Sequence, residues 1–197
     1  MTAAVPGTDG LLRCPWGNSA DDYRVYHDTE WGRPVRGDDA LFERVSLEAF
    51  QSGLSWITIL RRRENFRSAF AGFVIEKVAA FTDADRERLL ADPGIIRNRA
   101  KIDAAVANAR AALELPDGLS ELIWSYAGDP ARPAPVTTAD VPAVTPRSTA
   151  LAKELKRRGF RFVGPTTAYA LMQACGLVND HLADCCARES ARNAAGT

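Results

Sequence analysis

The chain contains only two histidines, and each has a cysteine nearby, one pair close to each end of the sequence. Cys14 precedes His27 in RCPWGNSADDYRVYHDTEWG, and His181 precedes Cys185 in VNDHLADCC. Zinc takes four nitrogen and sulfur donors in a tetrahedron, and two sequence-distant pairs are a common way to supply them. A metal shared by the pairs would tie the first twenty-odd residues to the last helix, so the fold would have to bring its ends together. A spacing of four would set His181 and Cys185 on one face of a helix. The same residues are also compatible with two isolated histidines and some buried thiols.

At 197 residues the chain can bury a real core as one compact domain or two small lobes. Apolar residues are 46% and charged residues 25%, an ordinary balance for a globular protein. Lys plus Arg equals Asp plus Glu at 25 each, so any basic surface must come from local clustering. Nothing resembles a signal peptide, and no apolar run is long enough to span a bilayer. With four cysteines and no secretory signal, a reducing cytoplasmic location is expected, with metal-bound or buried thiols in preference to disulfides.

The patterning is helical, and the expected class is all-α. Residues 1–12 lack a pattern and are expected to be a loose tail, as is the segment 188–197, frayed beyond Asn193. Asp39 is suited to cap a helix through ALFERVSLEAFQ. A second helix is expected from Trp56 to Phe70, short ones near 75–81 and 83–91, and a longer one from Asn98 to Leu115. Leu119–Tyr126 reads as another short helix, and GDPARPAPVTTADVPAV as a connecting loop.

The clearest local grammar lies at 145–187. Thr145 can cap a helix with Pro146 at its first position, and Leu151 and Leu155 line its buried side. Gly159 ends it, because glycine readily takes the left-handed conformation needed there. After Phe160, Arg161, Phe162 and Val163, Gly164 and Pro165 open a second helix carrying Ala168, Leu171, Met172 and Cys175. Asn179 is then expected to cap a third helix bearing His181 and Cys185. The glycine-bounded turn between two helices suits a DNA phosphate, which a helix N-terminus binds without reading sequence. Lys153, Lys156, Arg157, Arg158 and Arg161 add local positive charge. An ordinary helical hairpin with a solvated face has the same pattern.

One carboxylate is out of place. Leu41, Val45 and Glu48 follow the spacing of a buried helix face, where an ionised acid is costly without a partner or polar ligand. Trp16, Trp31, Trp56, Tyr23 and Tyr26 all fall within the first 56 residues. Aromatics gathered near such an acid suit a pocket for a flat, polar ligand, neutral or cationic. A core in which Glu48 neutralises an arginine is the alternative.

Together these pieces resemble the 3-methyladenine DNA glycosylase I family of the helix-hairpin-helix superfamily. The matching stretches are RCPW, YHDTEWG, LFERVSLEAFQSGLSWITILRRRENFR, DPGIIRNRAKI, RGFRFVG and LMQACGLVNDH, in family order and at family spacing. The resemblance implies an all-α, two-lobed helix-hairpin-helix glycosylase domain over 13–187, with the base site in the interlobe cleft. It implies a structural Zn2+ held by Cys14, His27, His181 and Cys185. Carried over by motif, Glu48 would hydrogen-bond the extruded base, Tyr26 and Trp56 would bind or stack on it, and Trp16 would line the pocket. Gly53 and Leu54 would plug the gap in the duplex. Gly159, Phe160, Arg161, Phe162, Val163 and Gly164 would grip the backbone.

The implied activity is monofunctional hydrolysis of the N-glycosidic bond of 3-methyladenine in double-stranded alkylated DNA, by a monomer without membrane association. A base inside a duplex must first be rotated out. Relatives in the superfamily carry a catalytic aspartate where this chain has Asn179, and Asp180 is displaced by one position, so no general base is assigned. No lysine is placed for Schiff-base chemistry. A glycosylase for another lesion, a non-catalytic binder of damaged DNA and a zinc-stabilised interaction module remain alternatives.

Overall fold

The computed structural model describes residues 2–129 and 132–195, without the side chains of 192, 194 and 195. The architecture is mostly helical: α1 (Asp21–Thr29), α2 (Asp38–Gln51), α3 (Trp56–Leu60), α4 (Arg63–Ala69), α5 (Ile75–Ala79), α6 (Asp83–Ala91), α7 (Arg99–Leu113), α8 (Gly118–Trp124), α9 (Pro146–Arg157), α10 (Pro165–Ala174) and α11 (Arg188–Ala195). Among the described residues no helix is long and apolar enough to cross a membrane.

The core is built around α2. Leu41, Phe42, Val45, Leu47 and Phe50 are buried there, and Ile102, Val106 and Ala109 of α7, Leu151 and Leu155 of α9, and Leu171 and Met172 of α10 belong to the same cluster. Phe66, Phe70 and Phe73 join Phe50, with Phe70 and Phe73 stacked 5.4 Å apart. Each such ring removed from water stabilises the fold by roughly 1.5–3 kcal/mol.

Several boundaries depart from the expectations. Gly37, not Asp39, occupies the cap position of α2. Asp38 and Asp39 lie in its first turn, and their carboxylates serve neighbouring chain: Ser120 N–H donates to Asp38 at 2.8 Å and Ile75 N–H to Asp39 at 2.9 Å. The helix expected over Trp56–Phe70 breaks at Arg61 and Arg62. The break turns α4 so that Phe66 is buried, while Arg63 reaches Glu30 at 2.6 and 2.9 Å. The capping predictions for α9 hold. Thr145 and Ser148 form a reciprocal capping pair with Pro146 at the first position, and Gly159 adopts φ +97° just beyond the helix. The connecting loop at 128–144 lies partly outside the described residues, at 130 and 131, and includes a 3-10 turn at Thr138–Asp140.

Both chain ends differ more. The N-terminal segment is not patternless: β1 (Val5–Pro6) pairs antiparallel with β2 (Leu12–Arg13). Residues 188–195 are helical, with Ala191 buried. The helix expected to carry His181 and Cys185 is absent, and both residues lie in the irregular stretch between α10 and α11. Asn179 caps no helix there. Its side chain accepts from His181 N–H two residues on, at 3.2 Å, which closes a local turn.

Candidate active site and metal centre

The four residues of the two His/Cys pairs converge. All are buried, and their donor atoms lie within 4.8 Å of one another. Cys185 Sγ is 3.4 Å from both His27 Nε2 and His181 Nδ1, and Cys14 Sγ is 4.0 Å from His181 Nδ1. Ligands about 2.0–2.3 Å from a tetrahedral zinc ion would stand about 3.3–3.8 Å apart. The donor set fits such an ion, with the two Cys185 contacts at its spacing and the Cys14 contact at 4.0 Å slightly wider. The remaining ring nitrogens are engaged too: His27 Nδ1 faces Asp28 at 2.7 Å and His181 Nε2 faces the Trp31 carbonyl at 3.1 Å. These contacts fix which nitrogen each ring turns inward. Arg13, itself buried, clamps Asp28 through Nε and Nη2.

Trp16 joins this cluster to a cavity. Its ring stands edge-on to His27 at 5.0 Å, to Trp31 at 5.1 Å and to Tyr23 at 5.6 Å. On its other side opens a cavity of about 390 Å³ lined by Trp16, Tyr23, Tyr26, Glu48 and Trp56, among others. That volume suits a single flat heterocycle with room for solvent. Tyr26 and Trp56 face each other at 5.6 Å, with the rings tilted by 45°.

Glu48 sits where the helical spacing places it, on the buried side of α2 and lining this cavity. Its exposure is 5%. Loss of solvent pushes its carboxyl up to about 8, and Arg44 one turn earlier opposes the rise only in part. Arg44 is itself committed to Glu30 at 3.2 Å. Glu48 is thus mostly protonated at neutral pH until a ligand brings positive charge. The indole N–H of Trp56 is buried without a partner, and burial likewise drives the Tyr26 hydroxyl upward.

Sequence reasoning placed Glu48, Tyr26, Trp56 and Trp16 around a pocket, and the fold brings these four together. Tyr23 and Trp31, counted among the pocket aromatics without a separate role, line it too, as do Gln51 and Gln173, which no reading of the sequence singled out. Tyr23 has a further task that no motif announces: its hydroxyl accepts from Ile57 N–H at 2.9 Å at the start of α3. Asp180 reaches the cavity edge but is heavily engaged. Tyr169 Oη donates to it at 2.5 Å and Gln173 Nε2 at 2.8 Å, and Arg132 pairs with it at 3.0 Å.

The remaining expected residues lie on two exposed turns. Gly53 and Leu54 occupy the turn between α2 and α3, with Leu54 41% exposed. Lys101, to which no role was assigned, braces that turn by donating to the carbonyls of Phe50 and Ser52 at 2.9 and 2.5 Å. Residues 159–164 connect α9 to α10. Phe160 and Val163 are buried, whereas Phe162 is exposed at the tip with φ +57°. Such a backbone conformation costs a non-glycine residue roughly 1–2 kcal/mol. Asn108 of α7 holds the turn, accepting from Arg161 N–H at 2.7 Å and donating to its carbonyl at 3.1 Å.

Comparison with known proteins identifies the family. A family model described as methyladenine glycosylase matches residues 16–189. The chain is 47% identical over 180 residues to DNA-3-methyladenine glycosylase 1 of Escherichia coli (strain K12), spanning 89% of this chain and 96% of that protein. It is 45% identical over 179 residues to DNA-3-methyladenine glycosylase of Haemophilus influenzae, spanning 88% and 96%. A crystal structure of 3-methyladenine DNA glycosylase I superposes with a TM-score of 0.84 at 47% identity, over 88% of this chain and 98% of that one. The Staphylococcus aureus enzyme, solved to explain 3-methyladenine recognition, superposes at 0.82 with 36% identity, over 89% and 96%. By sequence and by fold, this chain belongs to the methyladenine glycosylase family.

Proposed function

We propose that this protein excises 3-methyladenine from alkylated DNA by hydrolysing its N-glycosidic bond, releasing the free base and leaving an abasic site. The observation that carries the proposal is Glu48, a desolvated carboxyl inside an aromatic cavity of one-base size. The lesion is a purine with a positive charge. That charge makes it a good leaving group and a fit guest for aromatic walls and an acid that ionises on its arrival.

In this reading residues 13–187 form one glycosylase domain of two helical lobes with the cavity between them. The turn at 159–164 is the helix-hairpin-helix element, and its backbone together with the start of α10 holds the phosphates of double-stranded DNA. Leu54, at the apex of the Lys101-braced turn with Gly53, fills the space the base vacates. The extruded base enters between Tyr26 and Trp56, against Trp16. Glu48 accepts from its exchangeable N–H groups, and the free indole N–H of Trp56 offers a donor in the same wall. Water attacks C1′ as the C–N bond breaks, the departing base takes the bonding electron pair, which neutralises its charge, and the proton of the added water passes to solvent. Asp180, whose Oδ2 accepts from Tyr169 and Gln173 and whose Oδ1 is ion-paired with Arg132, is not assigned as general base. The protein acts as a monomer and does not cleave the strand.

Cys14, His27, His181 and Cys185 hold a structural Zn2+ in this reading. Four protein donors fill a tetrahedron, so the ion supplies cohesion between the two chain ends. The test is chromatography of the material released from methylated duplex DNA by the purified protein. Free 3-methyladenine with matching abasic sites is the expected result. Methylated DNA left intact would overturn the proposal.

A further inference from the structure

The family model matches from residue 16 and the resembling stretches start at Arg13, so residues 2–12 carry none of the motifs of the family. They are nonetheless built into the molecule. Thr2 exchanges a pair of hydrogen bonds with a residue 136 positions away: Thr138 N–H donates to the Thr2 carbonyl at 3.0 Å, and Thr2 N–H donates to Thr138 Oγ1 at 3.3 Å. Ala4 packs with Trp16 and Val141 against the cluster formed by Cys14, Leu182, Cys185 and Ala187. The Val5 carbonyl accepts from Asn18 Nδ2 at 3.0 Å. Gly7 passes so close to its neighbours that a Cβ there would lie 2.7 Å from Arg13 Nη1 and 2.9 Å from Asn18 Oδ1. Asp9 then closes the β1–β2 hairpin onto buried Arg13 at 2.8 and 2.7 Å.

What this segment touches is the wall of the base cavity. Thr138 and Val141 line the cavity with Trp16. They belong to the long connection between α8 and α9, where the only regular element among the described residues is the short turn at Thr138–Asp140. Such a connection is loose unless something outside it holds it down. Residues 2–6 add to what holds it: Thr2 is bonded to Thr138, and Ala4 packs with Val141 and Trp16 against the same buried cluster, while Ala183 N–H donates to the Pro135 carbonyl at 2.8 Å from the other side.

We propose that residues 2–6 are a strap that determines specificity, setting the width of the base cavity by holding the Thr138–Val141 wall against Trp16. The inference rests on the proposed excision of 3-methyladenine and concerns which methylated purines the same cavity admits. With the strap in place the Thr138–Val141 wall is held at the cavity. Without it the wall retreats. The cavity then holds 3-methyladenine less tightly and rejects 7-methylguanine, with its extra exocyclic group, less well.

Two variants of the full chain test this. The first deletes residues 2–6 and keeps the Asp9–Arg13–Asp28 clamp. The second is Thr138→Pro, which removes both the donor and the acceptor that Thr2 uses. Proline suits position 138 because it opens the 3-10 turn, and Thr137 before it is already extended at φ −128° and ψ 166°. Each variant is assayed on methylated duplex DNA beside the parent, with bound zinc measured in every preparation. The expected outcome is a KM for 3-methyladenine excision raised about tenfold with little change in kcat, a loss of ~1.4 kcal/mol in binding. The ratio of 7-methylguanine to 3-methyladenine released should rise by a similar factor, and zinc content should hold. A role in stability alone would lower both activities together and leave the ratio and KM unchanged, and that result overturns the strap. A parent that releases no 3-methyladenine at all would instead sink the proposed function.

Discussion

Replacing Glu48 by glutamine should make the protein more stable, by an amount that grows with pH. Burial disfavours the charge of this carboxyl and pushes it up to about 8 in the folded protein, whereas a free glutamate titrates near 4.5. Between those values the folded state holds a proton that the unfolded state has released. Stability therefore falls as pH rises through this window, at about 1.4 kcal/mol per unit. From pH 5 to pH 8 the accumulated penalty approaches about 4 kcal/mol. Glutamine has nearly the same shape and no charge, so Glu48→Gln escapes the penalty. For a domain of this size that is roughly 8–16 °C in Tm at pH 8 and only a degree or two at pH 5. Calorimetry of both proteins across pH 5–8.5 checks it. Excision should move the other way. A cationic lesion binds the ionised acid, so kcat/KM of the parent should climb about tenfold per pH unit toward 8 and then level. The variant should lose both the climb and about 2–4 kcal/mol of transition-state binding. Melting curves that stay parallel at every pH would refute the reasoning, because they would mean that Glu48 is solvated or paired in the folded state.

Stripping zinc with a chelator, or substituting Cys185→Ser, should lower the melting temperature by more than about 10 °C, since binding at such a site is coupled to folding; melting unaltered by metal would remove the latch. Asn108→Leu deletes both bonds to the Arg161 backbone. It should weaken affinity for duplex DNA about tenfold while leaving the dissociation constant of free 3-methyladenine, read by tryptophan quenching, unchanged. Lys101→Met unbraces the carbonyls of Phe50 and Ser52. It should cost about 1–3 kcal/mol in denaturant unfolding and slow excision from duplex more than from single-stranded DNA, because the turn carrying Leu54 matters only where a partner strand must be held open.

The sequence was legible wherever function depends on helical spacing. Glu48 announced itself because Leu41 and Val45 fix the face on which it falls, and an acid there is physically anomalous. Thr145, Pro146 and Gly159 bounded α9 because each answers a local backbone need. Legibility failed where distant chain decides the conformation. Asn179 has the composition of a helix cap, yet its side chain closes a two-residue turn onto His181 N–H, and that turn lets His181 and Cys185 meet Cys14 and His27 from a loop. A helix would have stacked the pair four residues apart along one face. The irregular chain brings both donors to 3.4 Å of each other with Cys14 close behind. The same holds at the other end. Residues 2–13 have no periodicity to read, because what orders them is Thr138, Asn18, Arg13 and the partner strand of a short hairpin. Pattern in this chain reports how helices bury their faces. The parts that give the site its shape are ordered by specific contacts, some of them across more than a hundred residues, and these leave no helical period to read.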